Sequence, residues 1–162
     1  MRVLSICGSL QQKSGNLTLL QVAARVAPAG VVVRLYDGLR ELPHFNPDLE
    51  QQESLPVVEA LRAAISGTDA LLIASPEYGH SLPGALKNAI DWVIGTGELN
   101  EKVIGVTAST NAPGRGQRGL DALAHTLKAV NATLVGGVPI VRGPDDSRTL
   151  ASFVAEVMNR AS

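Results

Sequence analysis

Five short apolar runs, each followed by a stretch with helical spacing, constrain this chain more than any other feature. The runs are Val3–Cys7, Val31–Tyr36, Asp69–Ala74, Lys102–Ala108 and Thr133–Val141, the last with an interruption expected at Pro139. Their apolar character is nearly continuous rather than alternating, as in strands covered on both faces. Between them, apolar residues recur every three or four positions. Leu19, Leu20, Val22, Ala23 and Val26 mark a helix over 17–27, and Val58, Leu61, Ala64 and Ile65 mark one that runs to about Ser66. Ser54 is the expected N-cap of the latter, with Pro56 in its first turn. Pro83 opens a third helix that Gly95 ends. Leu120, Leu123, Leu127 and Val130 define a fourth; a fifth carries Leu150, Phe153, Val154 and Val157 behind a cap at Asp145, Asp146 or Ser147. The stretch 37–52 has no period and reads as a long loop. Strands alternating with helices, without repeat or break, predict an α/β fold: one domain over 1–162, a doubly wound five-stranded parallel sheet, and helices on both faces. In strand order 2-1-3-4-5, ligands bind beyond the carboxyl ends of strands one, three and four. The loops there are the ones rich in Gly, Ser, Pro and Asn.

At 162 residues the chain can bury roughly two-thirds of its extended surface, so a core needs no disulfide or metal. The net charge of −1 gives no basic field, and nucleic acid is not an expected partner. No apolar stretch approaches the ~20 residues that cross a bilayer, and no signal peptide is read, so a cytoplasmic setting without membrane contact is expected. The lone Cys7 reads as a buried, inert thiol. His44 and His125 are widely separated and have no acidic or cysteine partner at ligand spacing, and no metal site is expected.

Gly8 to Asn16 lies where the first strand hands over to the first helix. Its glycines and its Ser9, Ser14 and Asn16 side chains suit a phosphate at a helix N-terminus. The same composition serves an unliganded cap equally well, and the loop alone does not choose.

Ser75-Pro76-Glu77-Tyr78-Gly79-His80-Ser81-Leu82-Pro83-Gly84-Ala85-Leu86-Lys87-Asn88-Ala89-Ile90-Asp91-Trp92 is more specific. With the Gly8–Asn16 loop and Leu42 to Leu49, it closely resembles the NADPH-dependent FMN reductase family, a flavodoxin-like group that includes quinone, chromate and azo-dye reductases. The resemblance covers most of the first hundred residues. It implies that Ser9, Gln11, Ser14, Gly15 and Asn16 hold the FMN phosphate, although members usually carry Arg where this chain has Gln11. It implies that Pro76, Glu77, Tyr78, Gly79 and His80 line the isoalloxazine ring, mostly through backbone N–H groups; many relatives have Asn at Gly79. Ser109 and Thr110, expected in the loop after strand four, match a third flavin contact, and Arg115 would meet the pyrimidine edge or NAD(P)H phosphates.

The implied activity passes hydride from NAD(P)H through FMN to a quinone, azo or oxidised-metal acceptor, with the cofactor carrying the chemistry. No protein acid, base or nucleophile is required and none is nominated. Relatives pair through the third helix into homodimers or homotetramers, and Trp92 is expected at such a contact. A flavodoxin-type electron carrier is the alternative; carriers sandwich the ring between aromatics and carry an acidic docking face, which a chain with 3% aromatics and near-neutral charge does not suggest.

Overall fold

The structure, a computed structural model, describes residues 1–52 and 54–162. Five parallel strands, β1 (Arg2–Cys7), β2 (Val32–Tyr36), β3 (Ala70–Ala74), β4 (Val103–Thr110) and β5 (Thr133–Val141), form one sheet in the order β2-β1-β3-β4-β5. Val3 pairs with both Val33 and Ala70, and Ala70 in turn with Val103, so the central strands end at one carboxyl edge. All five residues of β3 are buried, which explains its uninterrupted apolar run.

Helices cover both faces. On one side α1 (Gly15–Val26) and α6 (Asp146–Ala161) bring Leu19, Leu20, Ala23, Leu150, Val154 and Val157 against Val3, Leu72 and Val135. On the other, α3 (Pro56–Ser66), α4 (Gly84–Val93) and α5 (Gln117–Lys128) pack Leu61, Ile65, Leu86, Trp92, Leu123 and Leu127 against Leu4, Ile73 and Ile104. Burying a side chain of this size contributes about 1.5–3 kcal/mol.

The structure corrects several boundaries. The expected long loop over 37–52 contains a 3-10 turn, Gly38–Glu41, and a short helix α2, Pro47–Gln52. Asn46 starts α2, its Oδ1 accepting from Asp48 N at 2.9 Å, with Pro47 at the first helical position, where no N–H is needed. The N-cap of α3 is Leu55, not Ser54. β5 is not broken at Pro139, which pairs with Ala108; the irregularity lies earlier, where Gly137 is skipped between Val106–Gly136 and Thr107–Val138. β4 runs two residues further than expected. Ser109 and Thr110 belong to it because Ile140 and Val141 pair with them.

Trp92 is 1% exposed, packs edge-on to Phe45 and donates its Nε1–H to Pro43 O at 2.8 Å. Asn88 donates to the same carbonyl and accepts from Phe45 N. The third predicted helix therefore fastens the segment ahead of α2 through Trp92 and does not present that ring to a second subunit.

Candidate functional site

Three loops leave the carboxyl edge side by side. In the first, Gly8 donates to Ala74 O at 2.9 Å and keeps the chain level with β3 one residue past β1. Ser9 then folds back, its Oγ accepting from Gln11 N at 3.2 Å. Gln11, Gln12 and Lys13 are exposed. Ser14 is the N-cap of α1 in extended conformation, yet its side chain makes no capping bond. Beneath it lies Cys7, whose thiol pKa burial pushes up, partly offset by hydrogen bonds from the Ser9 backbone and the Ser14 hydroxyl. Asn16 is 5% exposed and turns its Oδ1 to Ser109 N at 2.8 Å, tying the first loop to the end of β4.

In the second loop, Tyr78 and Ser81 exchange two backbone hydrogen bonds of 3.0 Å across Gly79 and His80. The φ values of 57° and 62° at those two residues make this a type I′ turn, which glycine enters without steric cost. Gly79 thus serves the backbone. The Glu77 carboxylate accepts from Gly119 N at 3.2 Å through Oε2 and meets His80 Nδ1 at 3.0 Å through Oε1. Gly119 lies in the first turn of α5, so Glu77 satisfies a helix N-terminus from a different element. Hydrogen bonding from His80 is the largest reason its pKa sits below the usual carboxylate value, and the Gly119 and Arg118 backbones add to it. Arg118 Nη1 lies 3.1 and 3.2 Å from the two ring nitrogens. An atom that near to both would collide with Cε1 if it lay in the ring plane, so the guanidinium sits over the imidazole face.

The third loop follows β4. Arg142, just past β5, donates from both its backbone N (2.9 Å) and its Nε (3.3 Å) to Thr110 O. Its side chain is thereby curled across the end of β4 toward α1.

Between the second and third loops lies a cleft of about 580 Å³ lined by Pro76, Glu77, His80, Ser109, Thr110 and Arg115, with Arg118 and Arg142. That volume suits a small organic ligand or cofactor. Ser109 and Arg142 also border an adjoining chamber of about 140 Å³ that reaches Gly15. Ser9 and Gln11 line a separate hollow on the β2 side, where Arg40 Nη2 donates to Leu10 O at 3.3 Å. Ser14 and Asn16 are buried under the first loop, and Tyr78 and Gly79 stand exposed at the rim, outside the cleft lining. Among the described residues no three His, Cys, Asp or Glu side chains gather at a spacing that could hold a metal ion.

Residues 1–144 match the model of the family described as NADPH-dependent FMN reductase. The chain belongs to this family. Over 92 residues it is 44% identical to an NAD(P)H-dependent FMN reductase of Pseudomonas aeruginosa, covering 57% of this chain and 49% of that one. Over 94 residues it is 37% identical to a quinone reductase of Escherichia coli strain K12, covering 57% and 50%. The chain spans about half the length of the curated relatives it matches. Among solved structures it is similar to FerB, a flavoenzyme NAD(P)H:(acceptor) oxidoreductase from Paracoccus denitrificans, with a TM-score of 0.86, 25% identity and coverage of 99% of this chain and 96% of that one. A flavodoxin from Bacillus cereus, at TM-score 0.70 and 16% identity over 98% of both chains, shares the fold alone.

Within this member of the FMN reductase family, two cleft arginines were missing from the sequence-derived site. Arg118 lies in the Gly-rich segment 114–119 that supplied Arg115, and the resemblance drew attention to only one of the two. Arg142 lies in the last third, where the resemblance is one of layout only; its place just past β5 was the available signal, since strand order 2-1-3-4-5 puts that point beside the end of β4.

Proposed function

We propose that the chain is an FMN-dependent NAD(P)H oxidoreductase whose residues 1–162 form one flavin-binding domain. Its acceptor would be a small molecule of quinone type, with azo compounds and oxidised metals as related possibilities, and its setting the cytoplasm. The observation that carries this reading is the cleft between the loops after β3 and β4, rimmed by Arg115, Arg118 and Arg142, to which Asn16 ties the loop after β1 through Ser109. The one carboxylate there, Glu77, is already engaged by Gly119 and His80.

The residues present fit FMN. A phosphate ester needs hydroxyl and N–H donors with a compensating positive charge. The first loop offers Ser9, the uncapped Ser14 hydroxyl and the N-terminus of α1, while the cleft offers guanidinium groups and enough volume for a ring system. We assign Ser9, Gln11, Ser14 and Gly15 to the phosphate end, and Asn16 to holding the first loop against Ser109. Pro76, Glu77, Gly79, His80, Ser109 and Thr110 would frame the ring, with Tyr78 at its exposed rim and Arg115 at the outer edge. When bound, FMN supplies the two-electron chemistry, accepting hydride from NAD(P)H and delivering it to the acceptor. The chain itself orients: Glu77 and the Tyr78–Ser81 hairpin hold one wall rigid, and the backbone amides and arginines favour negative charge. A homodimer or homotetramer is part of this reading, without Trp92 in the contact.

Anaerobic titration decides it. The purified protein loaded with FMN should lose its yellow absorbance on addition of NADH or NADPH, and regain it with a quinone. Flavin that stays oxidised in the presence of both nucleotides would leave the carrier reading in its place, and failure to take up FMN would remove both.

A further inference from the structure

Arg142 is held in a position that neither a family motif nor the first loop accounts for. Its backbone N–H and its Nε both reach Thr110 O, so the outer guanidinium nitrogens are aimed away from β5. Nη1 lies 3.8 Å from the point where a Cβ on Gly15 would stand. Gly15 is the first residue of α1, whose free N–H groups carry the positive end of the helix dipole. Among the described residues no carboxylate lies within salt-bridge distance of this guanidinium.

The other cations are placed differently. Lys13, on the first loop itself, is exposed, whereas Arg40 is tied to the Leu10 carbonyl on the β2 side. Arg118 is stacked on His80. Among the described cations, Arg142 alone borders both the cleft and the chamber that reaches the start of α1.

We propose that Arg142, reaching over the end of β4 from β5, supplies the positive charge that pairs with the cofactor phosphate at the N-terminus of α1. This rests on the FMN reading above. Planar guanidinium donors match phosphate oxygens, and one nitrogen anchored on Thr110 O pre-orients the remainder. Gly15 leaves room for that approach, since a side chain there would enter the space between Ser109 and Arg142.

The test compares FMN with riboflavin, which lacks the phosphate, in fluorescence-quenching titrations of wild type, R142A and R142K. R142A should weaken FMN binding about ten- to a hundredfold, the range for loss of a charge-assisted hydrogen bond, and leave riboflavin within about twofold. R142K should recover part of the FMN affinity, and the salt dependence of FMN binding should flatten in R142A. Unchanged FMN affinity in R142A, or equal weakening of both flavins, would overturn the assignment while leaving the oxidoreductase reading intact. Wild-type protein that binds neither flavin would overturn that reading and this one together. If R142A does not fold, R142Q is judged by the same two affinities.

Discussion

The loops after β1 and β3 enter the site from neighbouring strands but are held in different ways. In the loop after β3, the hairpin bonds of Tyr78 and Ser81, the Glu77 contacts to Gly119 and His80, and the Arg118 stack fix the loop from within and to α5. In the loop after β1, Gln11 to Lys13 stand exposed, the Ser14 side chain makes no capping bond, and ties run from Asn16 to Ser109 and from Arg40 to Leu10 O. A wall that must present a flat surface gains from internal bonds. A loop that must surround an anion keeps its donors available until the anion supplies the acceptors. The largest expected effects therefore come from forcing the rigid wall apart, and the most selective ones from the open loop.

Gly119→Ala attacks the rigid wall at its closest point. The added Cβ would stand 2.9 Å from Glu77 Cα and 3.2 Å from Ser81 O, both backbone atoms that cannot step aside as a side-chain end could. Either α5 or the hairpin must shift, at a cost of about 1–3 kcal/mol. We expect a lower urea midpoint without flavin and weakened binding of FMN and riboflavin alike. An unchanged midpoint would show that the two elements are not locked together.

The open loop separates two residues that its sequence presented as equivalents. Asn16→Ala removes the acceptor for Ser109 N and should cost about 1–3 kcal/mol of stability even without cofactor, the usual penalty for an unpaired donor in a shielded place. Ser14→Ala removes a hydroxyl that bonds the weak acceptor Cys7 and caps no helix N–H, so stability should change little while FMN affinity falls by about 1–3 kcal/mol if the phosphate takes that hydroxyl. Equal effects of the two substitutions on the flavin-free protein would erase the distinction.

What was legible in the sequence follows from the same physics. The parallel sheet and its two-faced core could be read because buried parallel strands leave unbroken apolar runs, as in Leu71-Leu72-Ile73, whereas the strand order came with the flavodoxin-like resemblance. The end of β4 was not, because Ser109 and Thr110 are polar and look like loop until β5 is seen to pair with them. α2 was not legible although Asn46-Pro47 is a helix-start signature, since the stretch around it has no apolar period. The Glu77–Pro83 region was legible as a site from its motif, but its internal bonds to α5 depend on Gly119, forty-two residues away in sequence. Arg142 was missed for a related reason, since only the strand order points to it. Its role comes from the sheet setting β5 beside β4, and no local pattern records that.

Glu77→Gln gives the smallest effect and probes the rigid wall most finely. The carboxylate titrates below its ordinary value, chiefly through the His80 hydrogen bond, so between the two values the folded state binds fewer protons than the unfolded one. Its contribution to stability is therefore fully present above the unfolded carboxylate pKa of about 4.3, and is lost as pH falls through the lower folded value. Glutamine keeps an oxygen for Gly119 N but has no charge to titrate. Urea midpoints should favour the wild type at pH 7, and the difference should shrink as pH falls below the unfolded carboxylate value and through the lower folded one. Parallel curves would show that the charge is not what fastens the hairpin to α5, and would leave the close approach at Gly119 as the tie between the two elements.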